Sequence, residues 1–418
     1  MSSIRVTTNF RDNFGTDLGD KLITKDYLMS VYPSIAQELG KTPELWAWGS
    51  NGAGQGTLGI NSTISFNAIT PITTFAGGTN WKQVAGGNNC IAAIKTDGTL
   101  WLWGQGSSGE LGNNAAANRI TPVTTFAGGT NWKQVACGNT HTAAIKTDGT
   151  LWLWGINLQG QLGDNTTITK STPVTTFAGG TNWKQVSGGN SHTAAVKTDG
   201  TLWTWGLCNS SNKSGIVLIG ALGINNTTLL NISTPVTTFA GGTNWKQVSC
   251  GQFYAAAIKT DGTLWTWGQG GSGQLGNNAA ANRITPVTTF AGGTNWKQVS
   301  AFPFGSASTS AIKTDGTLWS WGFSLSLGDN TLVGKVTPVT TFAGGTNWKQ
   351  VYSLGTRVSA IKTDGTLWVW GQNPSGQLGD NTTTQRCTPV TTFAGGTNWR
   401  QVGGVSDTSA AIRTSDGI

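Results

Sequence analysis

Two histidines, five cysteines and a sparse set of carboxylates are all that 418 residues offer for acid–base, nucleophilic or metal chemistry. His141 and His192 lie in the same motif, Val-x-x-Gly-x-x-His-Thr-Ala-Ala (Val135–Ala144 and Val186–Ala195). The matching slot elsewhere holds Cys90, Tyr254, Ser308, Arg357 and Thr408. A general base or metal ligand needs partners at fixed places, and a slot this permissive shows no selection for them. The cysteines, Cys90, Cys137, Cys208, Cys250 and Cys387, are odd in number and lack CxxC spacing, so they form neither a zinc motif nor an obvious disulfide framework. Cys137 and Cys250 share a position filled elsewhere by Gly86, Gly188, Ala301, Ser353 and Gly404, which asks only for a small residue. Beyond residue 44, the carboxylates are seven in a repeated Asp-Gly (Asp97, Asp148, Asp199, Asp261, Asp315, Asp364, Asp416) plus Glu110, Asp164, Asp329, Asp380 and Asp407. No spacing among them suggests an acid–base pair. The Gly-x-x-Gly-Gln-Leu-Gly stretches lack the Lys-Ser/Thr and helix of a phosphate loop and read as turns. The expectation is a non-enzymatic chain with no catalytic residue, no metal and no cofactor.

The elements that carry these residues repeat. Leu-Trp-x-Trp-Gly begins at Leu45, Leu100, Leu151, Leu202, Leu264, Leu318 and Leu367, and Asn-Trp-Lys/Arg-Gln-Val places its Trp at 81, 132, 183, 245, 296, 348 and 399. Together they use all 21 tryptophans. Each copy reads as four short strands: Trp-Lys-Gln-Val-Ala, Thr-Ala-Ala-Ile-Lys, Thr-Leu-Trp-Leu-Trp and Pro-Val-Thr-Thr-Phe, bounded by Gly, Asn and Pro. Asp-Gly between the second and third is a hairpin turn, since Gly accepts the positive φ it requires. Alternation sets Trp101 and Trp103 on one face of a strand and Leu100 and Leu102 on the other, so both faces need cover. Stacked four-stranded sheets supply it, and a buried Trp contributes on the order of 150–250 Å².

The chain ends select a closed ring over an open stack. The last copy stops at Ala411–Ile418, where a Leu-Trp-x-Trp strand should follow, and the first begins with an orphan Leu45–Gly49. Joined, they complete one sheet and close an all-β, seven-bladed propeller of four-stranded antiparallel blades over residues 45–418, which hides the faces a linear array would expose. The runs Trp154–Gly163 and Trp370–Gly379, with the His-containing motif above, resemble the regulator of chromosome condensation repeat, in a bacterial or viral form. That resemblance implies seven-bladed propellers closed by shared strands.

Charged residues are only 11% of the chain, yet the net charge is +8. Each copy carries a basic residue after its lone Trp (Lys82, Lys133, Lys184, Lys246, Lys297, Lys349, Arg400) and another before its hairpin (Lys95, Lys146, Lys197, Lys259, Lys313, Lys362, Arg413), against one hairpin Asp. This accounts for nearly the whole excess, spread around a ring of solvated lysines and not gathered into a patch, so nucleic acid is not expected as a partner. No apolar run approaches the ~18 residues of a membrane-spanning helix, and no secretory signal is visible at Met1–Asn9.

Function is expected where the copies differ. Leu207–Ala221 is an insertion, with smaller ones in Gly52–Asn67 and Ala301–Ser308. Insertions in repeat proteins map to loops on a binding face, which nominates Asn209, Lys213, Ile216, Leu218, Phe302 and Phe304 as binding residues. Residues 1–44 form a separate attachment segment, with a strand at Ile4, a short helix capped by Thr24, and Tyr27, Leu28, Val31 and Tyr32 as docking residues. The run Leu18–Met29 is similar to marine tailed-phage structural proteins, which implies a virion component, for capsid decoration or host contact, with virion proteins, a host-surface protein or glycan, or further copies of itself in a homo-oligomer as the expected partners. The alternatives are a secreted inhibitor or adhesion module, which the same repeat family includes, and a guanine-nucleotide-exchange or chromatin factor like the family's founding member.

Overall fold

A computed structural model describes residues 3–5, 22–24, 43–52, 55–75, 80–212, 215–217, 219–305 and 307–415. The chain divides into two units, Met1–Pro43 with Thr414–Ile418, and Glu44–Arg413. In the first, Ser3–Arg5 pairs antiparallel with Leu22–Thr24. Thr24 therefore ends a strand where the sequence suggested a helix cap. Tyr27, Leu28, Val31 and Tyr32 lie outside the described residues.

The second unit is a propeller of seven four-stranded antiparallel sheets. Blade 2 shows the pattern, with strands Trp132–Cys137, His141–Lys146, Leu151–Gly155 and Lys170–Thr175 from the axis outward. Blades 1, 3, 4, 5 and 6 span residues 81–124, 183–237, 245–288, 296–340 and 348–391. Blade 7 is made from both ends of the chain, in the order Trp399–Gly404, Thr408–Thr414, Pro43–Ser50, Asn67–Thr73. The orphan Leu-Trp-x-Trp run lies where the closure argument requires it, between the C-terminal strand and Asn67–Thr73.

Two sets of bonds join blade to blade. Near the axis, a Gln in the first strand of every blade but the sixth grips the N–H and C=O of a Val in the next. Gln134 Nε2 donates to Val186 O at 3.0 Å, and Val186 N donates back to Gln134 Oε1 at 3.1 Å. The same clamp links Gln83 to Val135, Gln185 to Val248, Gln247 to Val299, Gln298 to Val351 and, across the closure, Gln401 to Val84. Further out, the second Trp of every third strand donates its indole N–H to a carbonyl in the preceding blade, as Trp154 does to Glu110 O at 2.8 Å and Trp48 to Gln377 O at 3.0 Å. Satisfying that N–H lets a large side chain be wholly buried. It also fixes the Gln-Leu-Gly turn, because a Cβ on Gly163, at φ +67°, would lie 2.7 Å from the Trp205 indole nitrogen.

The joint between blades 6 and 7 is built differently. Gln350 Oε1 is buried without a hydrogen-bond partner. Tyr352, where other blades have Ala, Ser or Gly, exchanges hydrogen bonds with the Gly86 peptide of blade 1. Arg357, wholly buried, donates to Val405 O at 2.6 Å, to Ser406 O and to Ser409 Oγ at 3.3 Å in blade 7.

Candidate functional site

Strand direction gives the propeller two unlike faces. The Lys-Thr-Asp-Gly hairpins and the crossings from one blade to the next fall at one end of every blade, because Thr175 at the end of the fourth strand pairs with Trp152 beside the hairpin. The turns between first and second strands and the long loops between third and fourth fall at the other. We refer to them as the hairpin face and the loop face.

On the hairpin face blades 1 to 6 repeat one construction. Asp148 Oδ1 accepts bonds from Thr150 N at 2.9 Å and Thr150 Oγ1 at 2.7 Å, and Trp152 Nε1 donates to the same hydroxyl at 2.9 Å. These Thr donors hold the carboxylate below its ordinary range, and Asp97, Asp199, Asp261, Asp315 and Asp364 behave alike. Lys146 Nζ lies 4.8 Å from the ring centroids of both Trp132 and Trp152. In the other blades the Lys–Trp distances are 4.5–4.9 Å, and Arg413 fills the role in blade 7. Half of the repeat cations are thus held in indole cages. The rest, Lys82, Lys133, Lys184, Lys246, Lys297, Lys349 and Arg400, are exposed on the same face. The excess charge therefore forms the ring expected from the repeat, set on one side of the propeller, with half of its cations caged by indoles where the sequence suggested solvated lysines. Sequence pattern gave the cations but not the common direction of their strand ends.

The loop face carries the differences between copies. Ser210–Asn212 and Gly215–Val217 form a small hairpin inside the largest insertion. Asn209 beside it is wholly buried. Its Nδ2 donates to Asn226 O and Leu229 O, and its Oδ1 accepts from Ile219 N and Gly220 N, each within 3.1 Å. Asn51, Asn157 and Asn373 brace their loops in the same manner. Asn209 is thus a brace and does not present itself to a ligand. Phe302 is also buried, and Phe304 half-buried, in a turn that leans on Gly355 of blade 6. Lys213 and Leu218 lie outside the described residues, and Ile216 is in the second strand of the small hairpin. The sequence missed a different set: Ile64, Leu158, Ile168, Leu332 and Val333 are 60–71% exposed on these loops. An apolar residue inside a polar loop between bracing Asn and outer strand was the available signal.

The titratable slot is buried in all seven blades. His141 Nε2 lies 2.8 Å from Thr193 Oγ1, and neither ring nitrogen of His192 has a hydrogen-bond partner. Burial drives His141 down to about 3 and His192 to about 4, so both are neutral at ordinary pH. Burial also pushes Cys208 up to about 11 and Cys250 to about 12, and contact with Cys137 together with burial raises Cys90. Thiols held protonated are poor nucleophiles and poor metal ligands. Arg357 is pulled down by burial to about 10, opposed by Asp407, and stays charged at neutral pH. No group of three or more His, Cys, Asp or Glu side chains placed to hold a metal occurs among the described residues, and no helix there is long and apolar enough to cross a membrane.

Residues 33–301 match the RCC1-like domain, and residues 364–412 match the regulator of chromosome condensation (RCC1) repeat. The ultraviolet-B receptor UVR8 of Arabidopsis thaliana is 35% identical over 58% of this chain and 53% of its own length. The mitochondrial RCC1 domain-containing protein RUG3 of the same plant is 27% identical over 67% and 61%. The chain thus spans between half and two thirds of these two relatives. Among solved structures, human WBSCR16 superposes with a TM-score of 0.75 at 18% identity, covering 89% of this chain and 100% of its own. Saccharomyces cerevisiae Prp20p does so with a TM-score of 0.71 at 17% identity, over 94% and 95%. These likenesses establish the fold. The relatives overturn the virion reading and the virion localisation, because those found are eukaryotic receptor- and regulator-type proteins, and they lend no support to the phage-like reading of Leu18–Met29.

Proposed function

Since this chain belongs to the RCC1-like domain family, we propose that it is a non-catalytic, protein-binding propeller that meets its partner through the loop face. The observation that carries this reading is the contrast between faces. One is nearly identical from blade to blade, whereas the other holds every insertion and a set of exposed apolar side chains, Ile64, Leu158, Ile168, Leu332 and Val333. Exposed apolar residues set among polar loops are the usual composition of a protein-recognition surface. Two related structures support a binding role: yeast RCC1 (Prp20) is solved bound to Kap60, and Prp20p is described by its binding to Gsp1p and histones. The chemistry of the buried slot agrees, since its histidines are neutral and its one thiol, Cys90, is held protonated.

The test is quantitative affinity capture with three full-length proteins: the natural chain, a loop-face variant (Leu158→Ser, Ile168→Ser, Leu332→Ser, Val333→Ser), and a hairpin-face variant (Phe126→Ser, Phe177→Ser). A protein held in stoichiometric amount by the natural and hairpin-face forms, and lost at least tenfold by the loop-face form, supports the reading. A partner retained by the loop-face variant overturns it.

A further inference from the structure

We propose that the hairpin face is an adsorption surface for an anionic lipid bilayer, an interaction separate from protein recognition at the loops. Each fourth strand leads into Thr-Thr-Phe-Ala-Gly-Gly-Thr, and its Phe stands out into solvent. Phe75, Phe126, Phe177, Phe239, Phe290, Phe342 and Phe393 are all 61–67% exposed. A single exposed Phe needs no explanation, but seven at one repeat position, with nearly equal exposure, form a ring of apolar side chains around this end of the propeller. The following Gly adds no cover: a Cβ on Gly128, Gly179, Gly241, Gly292, Gly344 or Gly395 would meet nothing within 4 Å.

The charge on the same face selects the occupant. Each of blades 1 to 6 contributes an exposed cation (Lys82 and its equivalents), an indole-caged cation and one hairpin Asp, a surplus of one positive charge per blade, and blade 7 adds Arg400 and Arg413. The Asp carboxylates are bonded to Thr donors and stay ionised, so they moderate the surplus without reversing it. Exposed aromatics beside cations match the two layers of an anionic membrane surface, with Phe entering the acyl–headgroup boundary and Lys meeting the phosphates. Sevenfold repetition points the same way. A folded protein without that symmetry would use one or two of the seven equivalent sites, whereas a fluid, two-dimensional ligand can engage all of them at once.

Flotation of the full-length protein with vesicles tests this, comparing pure phosphatidylcholine with phosphatidylcholine containing 30 mol% phosphatidylserine. Recovery with the anionic vesicles at low salt, release at high salt and little recovery with neutral ones are expected, because screening weakens the attraction. Each Lys near an anionic surface changes partitioning about fivefold, so Lys133→Gln, Lys184→Gln, Lys246→Gln together should lower it about 100-fold. Phe126→Ser, Phe177→Ser, Phe239→Ser should also lower it at unchanged charge. All six side chains are exposed, so thermal unfolding serves as the check that these variants are folded. Leu158→Ser, Leu332→Ser on the loop face should bind as the natural chain does. Absence of binding, equal recovery with neutral vesicles, or full binding by either triple variant overturns the proposal. So does tight binding to soluble heparin that the Phe substitutions leave unchanged, which would identify a soluble polyanion as the ligand.

Discussion

A histidine in a β-rich protein invites a catalytic reading, yet His141 and His192 are here because a buried slot between blades accepts many shapes. Their consequence is thermodynamic. Folded, they titrate near 3 and 4; unfolded, near 6.5. Between those values the unfolded chain binds more protons, so stability is complete above about pH 6.5 and falls as pH drops below it. From pH 6.5 to 4.5 the loss should be about 2–3 kcal/mol for each histidine. The hairpin aspartates are held below their ordinary range by their Thr donors and stay ionised across this window. Urea unfolding midpoints measured over it should decline steeply in the natural chain and less in His192→Tyr, which copies the residue at Tyr254. An equal decline would show that other groups govern the acid limb. The equivalence of the slot was readable from the repeat, but its burial was not, since that depends on how far each blade leans on the next.

At the scale of the strand, the Gln clamp explains why Trp-Lys-Gln-Val varies so little between copies. Gln134→Ala leaves the Val186 N–H and C=O without their partner, a cost of about 1–3 kcal/mol. Gln350→Ala at the clampless joint should cost less than half as much, because the buried Gln350 Oε1 is already unpartnered. Chemical denaturation of the two variants side by side checks the difference, and equal losses would refute the clamp as a source of stability. The four-strand blade and its hairpin followed from alternation and Asp-Gly. The clamp did not, because nothing in one strand specifies which backbone its Gln will meet. Asn209 shows the same limit: an Asn at the mouth of an insertion looks available until the loop closes around it.

For the molecule as a whole, closure was legible because each end of the chain lacked what the other held. Removing Pro43–Ser50 should unpair Thr408–Thr414 and Asn67–Thr73, expose Trp399 and replace a sharp thermal transition with a broad one accompanied by self-association. A rearranged chain carrying residues 43–73 behind Ser415 should recover the sharp transition, read by calorimetry and light scattering. Failure of that chain to recover would mean that the strand matters for something other than its place in blade 7. The direction of the charge is a property of this scale alone, since strand polarity turns a linear pattern of lysines into a one-sided surface.

Seven nearly interchangeable blades also pose a hazard of mispairing, since a free edge could accept a blade from another chain or join out of sequence. Tyr352 and Arg357 act as a key against joining out of sequence. The phenol fits where blade 1 offers the Gly86 N–H and C=O, and the guanidinium fits the carbonyls of Val405 and Ser406. No other pair of neighbouring blades offers both, so joining the blades out of order would strand a buried cation, and the key fixes which blade follows the sixth around the ring.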